Sequence, residues 1–452
     1  VPSSRDGLAG DVRRLAVPAI LHSLLQTLVF VVDRAMLGHH AESSLAAMQV
    51  AGPLEWSLWS IFAAFEVGTI ARVGRHVGAR HPGGARRAAW VSLVLSLAMG
   101  TLISALSPLL VASLPTWFPT ASPAAMSAAR DYLAITLGAS PVVFVAATGI
   151  AILQAGGDTR TPLLIGLLAN VIHIPLNRLL ILGGLGVPAL GARGCAISTS
   201  FTFFLVAALT LLVLSRPTSK VSLRRAEIDP EERALLREEA RAVWRIALPA
   251  FLERVLYHAG YLGFVVIIGR LGDHAMAANQ ALISVEAICF LSADGFGIAA
   301  AALVAQKLGA ERPREGERAA RISTGYAVVL LTSLGALFFL GRSRILPIFS
   351  SDPEVVRIGV AAVPMLFCAQ PFMAIAMVVA QSLRGAGHTR EVLAVSAACA
   401  LGVRISCTWF FAITLGLGLP GVWIGSTCDW VARSVLLIWI ARRGLSRALS
   451  PA

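Results

Sequence analysis

The chain has 452 residues, 56% of them hydrophobic and only 14% charged, with a net charge of +13. A soluble globular chain carries roughly a quarter charged residues, so this composition excludes one. The basic surplus is no nucleic-acid footprint either, because Arg and Lys gather in alternate connections between apolar blocks instead of on one face.

Twelve apolar blocks of about twenty residues, the length a helix needs to cross a bilayer, follow one another along the chain. They lie near 15–38, 48–72, 89–112, 128–153, 161–182, 194–214, 243–269, 275–304, 321–341, 356–383, 391–416 and 420–441. Only a helix satisfies its own backbone at that length in lipid, so the expected fold is an all-α integral membrane protein of twelve transmembrane helices. The first block is too long for a signal peptide and ends in charged residues. The 72–87 connection carries Arg72, Arg75, Arg80, Arg86 and Arg87; 215–245 and 305–321 are similarly basic, and the loops between them are almost uncharged. This positive-inside pattern places both termini and the 215–242 linker in the cytoplasm of what its Ala- and Arg-rich, Lys-poor composition suggests is a bacterium. In that linker, Asp229 and Pro230 followed by Glu231 and Glu232 predict a helix start. Leu235, Leu236 and Trp244 then either dip into the interface or sit on a plain solvated helix. The six cysteines have no CxxC or CxxH spacing and read as small hydrophobes, with no metal site and no cofactor implied.

The second half repeats the first. "LAVPA" (15–19) recurs as "IALPA" (246–250), "LGHHAESSLAAMQ" (37–49) as "IGRLGDHAMAANQ" (268–280), and "VGARHPGGARRAA" (77–89) as "LGAERPREGERAA" (308–320), all 231 residues apart. "LQAGGDTR" (153–160) returns as "LRGAGHTR" (383–390), 230 residues on. Two six-helix bundles of like orientation follow, related by a pseudo-two-fold axis along the membrane normal. The expected layout is a tail (1–14), a first lobe (15–214), a linker (215–242), a second lobe (243–441) and a second tail (442–452). Two homologous bundles suit alternating access; no nucleophile or His–acid cluster marks an enzyme.

These repeats, with "VDRAMLGHH", "LQAGGDTRTPLLIGLLANVIHIPLN" and "GARGCAIST", resemble the multidrug and toxic-compound extrusion (MATE) transporters over essentially the whole chain. The resemblance implies a monomeric exporter of small organic cations or amphipathic compounds in the cell membrane, driven by inward H⁺ or Na⁺. A lipid or lipid-linked oligosaccharide flippase of the same superfamily is the alternative within transport, and a membrane enzyme or receptor the alternative outside it. In the NorM-like branch a second-lobe site uses two acids, whose positions fall here at about Tyr257 and Met373. The DinF-like branch uses an Asp on the first helix with an Asn and an Asp four apart on the fifth. Here Asp33 is kept and the pair becomes His173 and Asn177, so the chain looks nearer that branch, with less support for a hard cation such as Na⁺.

An acid within a membrane span is functional by default, which makes Asp33 the expected coupling residue. Asn170, His173 and Asn177, spaced three and four apart on one helix face, either complete its site or hydrogen-bond between helices. Arg34 and Arg178 are the structural ion-pair candidates, Arg178 lying at a depth similar to Asp33. In the second lobe Glu253, Glu286, Asp294 and Asp429 nearly balance Arg254, Arg404 and Arg433, which favours internal ion pairs. Glu286 or Asp294 facing the cavity is the other reading, and Glu66, Glu253 and Tyr257 share that ambiguity.

Overall fold

The computed structural model describes residues 5–118, 122–224, 230–350 and 352–447. The helices in chain order are α1 (Arg5–His40), α2 (Glu42–Phe62), α3 (Ala64–Gly78), α4 (Pro82–Trp117), α5 (Pro123–Gly138), α6 (Ser140–Ala155), α7 (Arg160–Leu182) and α8 (Ala192–Leu214). They continue with α9 (Pro230–Gly269), α10 (Asp273–Gly309), α11 (Pro313–Ile345), α12 (Pro353–Ala386), α13 (Thr389–Ala397), α14 (Ile405–Trp409) and α15 (Gly418–Arg447). Among the described residues nine helices are individually long and apolar enough to cross a membrane, and α5 with α6 makes a tenth span bent by 53°. α1 and the broken pair α2–α3 complete a twelve-span layout. Large apolar side chains such as Leu109, Leu164, Leu262 and Leu340 stay exposed, as lipid-facing residues do.

Three expected blocks are more articulated than their hydropathy suggests. The second and fourth each break into two helices, at Ala63 and Ala139. At the latter break Pro141 has no amide hydrogen to donate to the preceding turn, which frees the chain to bend. The eleventh runs from α13 through a π-helix (Ala398–Arg404), α14 and a second π-helix (Phe410–Thr414). Hydropathy has no term for such irregularities.

The repeat is written in the backbone. After α3, Arg80 (φ 55) donates its N–H to the Val77 carbonyl and His81 donates to that of His76. After α10, Glu311 (φ 58) donates to Leu308 and Arg312 to Lys307, the same turn 231 residues later. Both are left-handed helix stops that satisfy two terminal carbonyls, and both are followed by a Pro that opens the next helix, Pro82 and Pro313. The other pair of sequence echoes matches too. Gly157 (φ 78) and Asp158 close onto Gln154 and Leu153, and Gly387 (φ 94) and His388 close onto Arg384 and Leu383.

The chain forms two compact units, residues 24–247 and residues 1–23 with 248–452. The divisions at 23/24 and 247/248 fall inside α1 and α9, each of which is one continuous helix. Leu8, Val12, Leu15 and Ala16 of α1 sit in a core with Cys289, Ala293 and Phe296 of α10 and Met373 of α12. The start of α9 belongs with the other unit: Trp244 lies against Phe65, centroids 5.4 Å apart. One turn earlier, Arg72 donates to both oxygens of Glu239 at 2.6 and 2.7 Å. α9 begins at Pro230, while Asp229, its expected cap, lies outside the described residues.

Small residues let the helices approach closely, as is common in membranes where apolar burial adds little. A Cβ on Gly385 of α12 would lie 2.4 Å from the Ala301 carbonyl oxygen of α10. That neighbour is backbone and cannot rotate away. Gly385→Val is expected to destabilise the protein by about 1–3 kcal/mol, read as a lower midpoint in thermal unfolding of detergent-purified protein. An unchanged midpoint would mean that α10 and α12 separate readily.

Candidate functional site

The site lies in the unit of residues 24–247 and is built from α1, α7 and α8. Asp33 stands on α1, in the fold's first apolar span. His173 and Asn177 occupy successive turns of α7 and are 1% and 0% exposed. Asp33 Oδ1 accepts from Asn177 Nδ2 at 2.6 Å and lies 2.9 Å from His173 Nε2. α8 supplies the outer layer. Ser198 Oγ donates to Asn177 Oδ1 at 2.5 Å, and Thr202 Oγ1 lies 2.8 Å from His173 Nδ1.

This network limits where the protons can lie. With the Thr202 hydroxyl donating to the Ser198 carbonyl at 2.7 Å, its oxygen accepts from His173 Nδ1–H; with the hydroxyl turned to Nδ1, His173 carries its proton on Nε2 and donates it to Asp33. The other ring nitrogen faces Asp33 Oδ1. Two lone pairs at 2.9 Å repel, so one proton sits between them, on the carboxyl or on the ring. Asp33 keeps 14% of its side chain exposed and is the member through which that proton is reached.

Asn170 is half-buried and makes no hydrogen bond to Asp33 among the described residues. Arg178 is exposed and forms no ion pair with Asp33, so the suspected pairing is replaced by His173. The reason is register: on α7, positions 173 and 177 share the face toward α1, and 178 is turned about 100° from 177. Arg34 is half-buried, and its Nη2 lies 3.0 Å from where a Cβ on Gly52 would stand, so it lies over α2. Glu66 is half-buried in the first turn of α3, outside the Asp33 bonds.

The other unit's acids are arranged differently. Glu253 accepts from Arg384 at 2.5 and 3.2 Å and from Ser396 at 2.7 Å. Asp429, 0% exposed, lies 2.9 Å from Arg404 Nη2 and accepts from Arg433 Nε at 2.9 Å. Asp294 accepts from Gln381 at 3.1 Å. Glu286 has no hydrogen bond among the described residues and feels Arg404 as its charged neighbour. Tyr257 is half-buried, and Met373 is buried in the apolar core. No group of three or more metal-ligating side chains occurs among the described residues.

Sequence reasoning missed Glu55 and Tyr132 in the first unit. Glu55, on α2, is 5% exposed and accepts from the Tyr132 hydroxyl at 3.0 Å. The signal was the one that singled out Asp33, a carboxyl inside an apolar block. It also missed Ser198 and Thr202. Their spacing of four matches that of His173 and Asn177, but Ser and Thr are too common in membrane helices for spacing alone to mark them.

Two copies of one family model, named MatE, match residues 18–179 and 249–410, in register with the internal repeat. A probable multidrug resistance protein NorM of Thermotoga maritima is 28% identical over 424 residues, covering 94% of this chain and 90% of that protein. An uncharacterized transporter, YisQ of Bacillus subtilis, is 22% identical over 91% of this chain and 90% of its own length. Among solved structures, a MOP superfamily transporter from Pyrococcus furiosus superposes with a TM-score of 0.90 at 20% identity, covering 98% of this chain and 97% of that one. An outward-facing multidrug resistance MATE transporter superposes with a TM-score of 0.89, also at 20% identity and with the same coverage. With twelve spans, an internal repeat, a buried polar cluster within the first unit and a family model matched twice across most of the chain, this protein belongs to the MatE family of transporters and is not an enzyme.

Proposed function

We propose that this transporter exports cationic or amphipathic organic compounds in exchange for protons, by alternating access, with Asp33 and His173 as the coupling pair and both termini in the cytoplasm. The observation that carries this reading is the Asp33–His173 contact, which sets a carboxyl and an imidazole nitrogen 2.9 Å apart, within reach of direct proton transfer. Exposure of the pair to the acidic side loads that proton; exposure to the cytoplasm releases it, and the freed carboxylate attracts a cationic cargo. Asn177 holds the carboxyl in place in either state. Thr202 and Ser198 hold His173 and Asn177.

The donors around Asp33 favour H⁺ over Na⁺. The oxygen of Asp33 in this network is faced by two nitrogens, whereas a hard cation prefers a shell of oxygens. The use of an acid on the first helix, with no acid at Tyr257 or Met373, supports the DinF-like arrangement. The multidrug resistance names of the NorM relatives support the cargo class.

The test uses purified protein in proteoliposomes with ethidium, an aromatic cation, as reporter. An imposed pH gradient is expected to drive ethidium movement, and a Na⁺ gradient at constant pH is not. Movement driven by Na⁺ alone would overturn the proton reading.

A further inference from the structure

A second carboxyl in the same unit has the chemistry of a proton carrier, and nothing in the exchange described above uses it. Glu55 is 5% exposed, and its Oε2 accepts one hydrogen bond, from Tyr132. Its Oε1 is buried with no hydrogen-bond partner. Thr136 lies one turn beyond Tyr132, but its hydroxyl donates to the Tyr132 carbonyl at 3.1 Å.

An ionised carboxylate offers about four acceptor positions, and burying it without partners is far more costly than burying a neutral acid. The contrast within this protein is direct. Glu253 has three donated bonds, two of them from an arginine, and Asp429 lies between two arginines. Those two carboxyls face cationic donors, whereas Glu55 is served by a single neutral hydroxyl, which suits the protonated form.

The partner for the ionised form is close by. Arg34 lies over α2 at Gly52, one helical turn before Glu55, and acts on Glu55 electrostatically, as Asp33 does. Arg34 is also the chain neighbour of Asp33. Any movement of this part of α1 that exposes Asp33 therefore moves the guanidinium relative to Glu55 in the same step. The ionisable groups around the carboxyl are Asp33 and Arg34 from α1, Tyr132 from α5 and Cys195 from α8, with His173 of α7 behind Asp33.

Resting on the proton-exchange reading above, we infer that Glu55 is a second proton carrier, so that this unit takes up and releases two protons per transport cycle. The step balances simply. The Glu55 O–H bond breaks, the proton leaves to water on the low-proton side, and the carboxylate pairs with Arg34. On the acidic side the carboxylate takes a proton from water and Arg34 is released from it.

Two protons against one ethidium cation move one net charge; one proton against one ethidium moves none. Ethidium movement in proteoliposomes is therefore measured at a fixed pH gradient while potassium and valinomycin set the membrane potential. Wild type is expected to respond to the potential. Glu55→Gln, which keeps the size and an acceptor for Tyr132, is expected to remain pH-driven but to lose the response. Potential-independent wild type, or an unchanged response in Glu55→Gln, would overturn the inference while leaving proton coupling at Asp33 intact. A wild type that no pH gradient drives would sink the underlying reading and the second carrier with it. Infrared pH-difference spectra of the purified protein give an independent readout. Glu55→Gln should remove one protonated-carboxyl carbonyl band; loss of no band would also overturn the inference.

Discussion

Asp33→Asn is expected to reduce pH-driven ethidium movement to the leak of protein-free vesicles and to make ethidium binding to the purified protein weaker and independent of pH. The amide has nearly the shape of the carboxyl, and its oxygen still accepts from Asn177 Nδ2, now at 2.6 Å from Asp33 Oδ1. What it lacks is a proton to give up. The unfolding midpoint should move little, since the net worth of one such hydrogen bond is about 1 kcal/mol. His173→Gln separates the two members of the pair. If the proton resides on the carboxyl, this variant retains slow pH-driven movement; if on the ring, it behaves like Asp33→Asn. Undiminished pH-driven movement in Asp33→Asn would return Asp33 to a structural role and move the search for the coupling acid to Glu55 and Glu286.

Asp429→Asn is expected to have the largest effect on stability, about 3–5 kcal/mol, because removing one member of a buried ion cluster leaves uncompensated charge in a poor dielectric. Asp429 is 0% exposed and lies between Arg404 and Arg433, both 6% exposed. Without it, two guanidinium groups remain buried near Trp430, each 5.5 Å from its ring centroid. Arg433→Met should be milder, because Arg404 still pairs with Asp429 and the methionine fills part of the vacated space. Chemical unfolding in detergent, comparing the two variants, checks this ordering. Equal losses would mean that Arg404 alone does not hold Asp429, and no loss in Asp429→Asn would mean that the arginines reach water.

The proton argument depends on connected hydrogen bonds more than on any single residue. Thr202→Val removes the acceptor for His173 Nδ1–H while keeping the helix and the side-chain size. It frees the ring to adopt the other tautomer, in which Nε2–H donates to Asp33 without a shared proton. The expected result is a shifted pH dependence of ethidium movement with binding retained; an unchanged pH profile would show that Thr202 does not set the ring.

Hydropathy, charge placement and the repeat determined the membrane class, the twelve spans and the two homologous halves. Those features depend on average properties of twenty-residue stretches, and averaging makes them robust. The sequence also singled out Asp33 as a candidate, since a carboxyl in an apolar block stands out wherever it packs. Its partner was decided only by tertiary structure. Arg178 and His173 both lie at reachable depths on α7, and the choice between them depends on which face of α7 turns toward α1. Glu55 was visible as an acid in an apolar block, but its unfilled oxygen and its tie to Tyr132, 77 residues away, exist only once α2 and α5 are packed. The sharing of α1 and α9 between the two compact units was likewise not legible, because a continuous helix carries no local mark of the core each end will join.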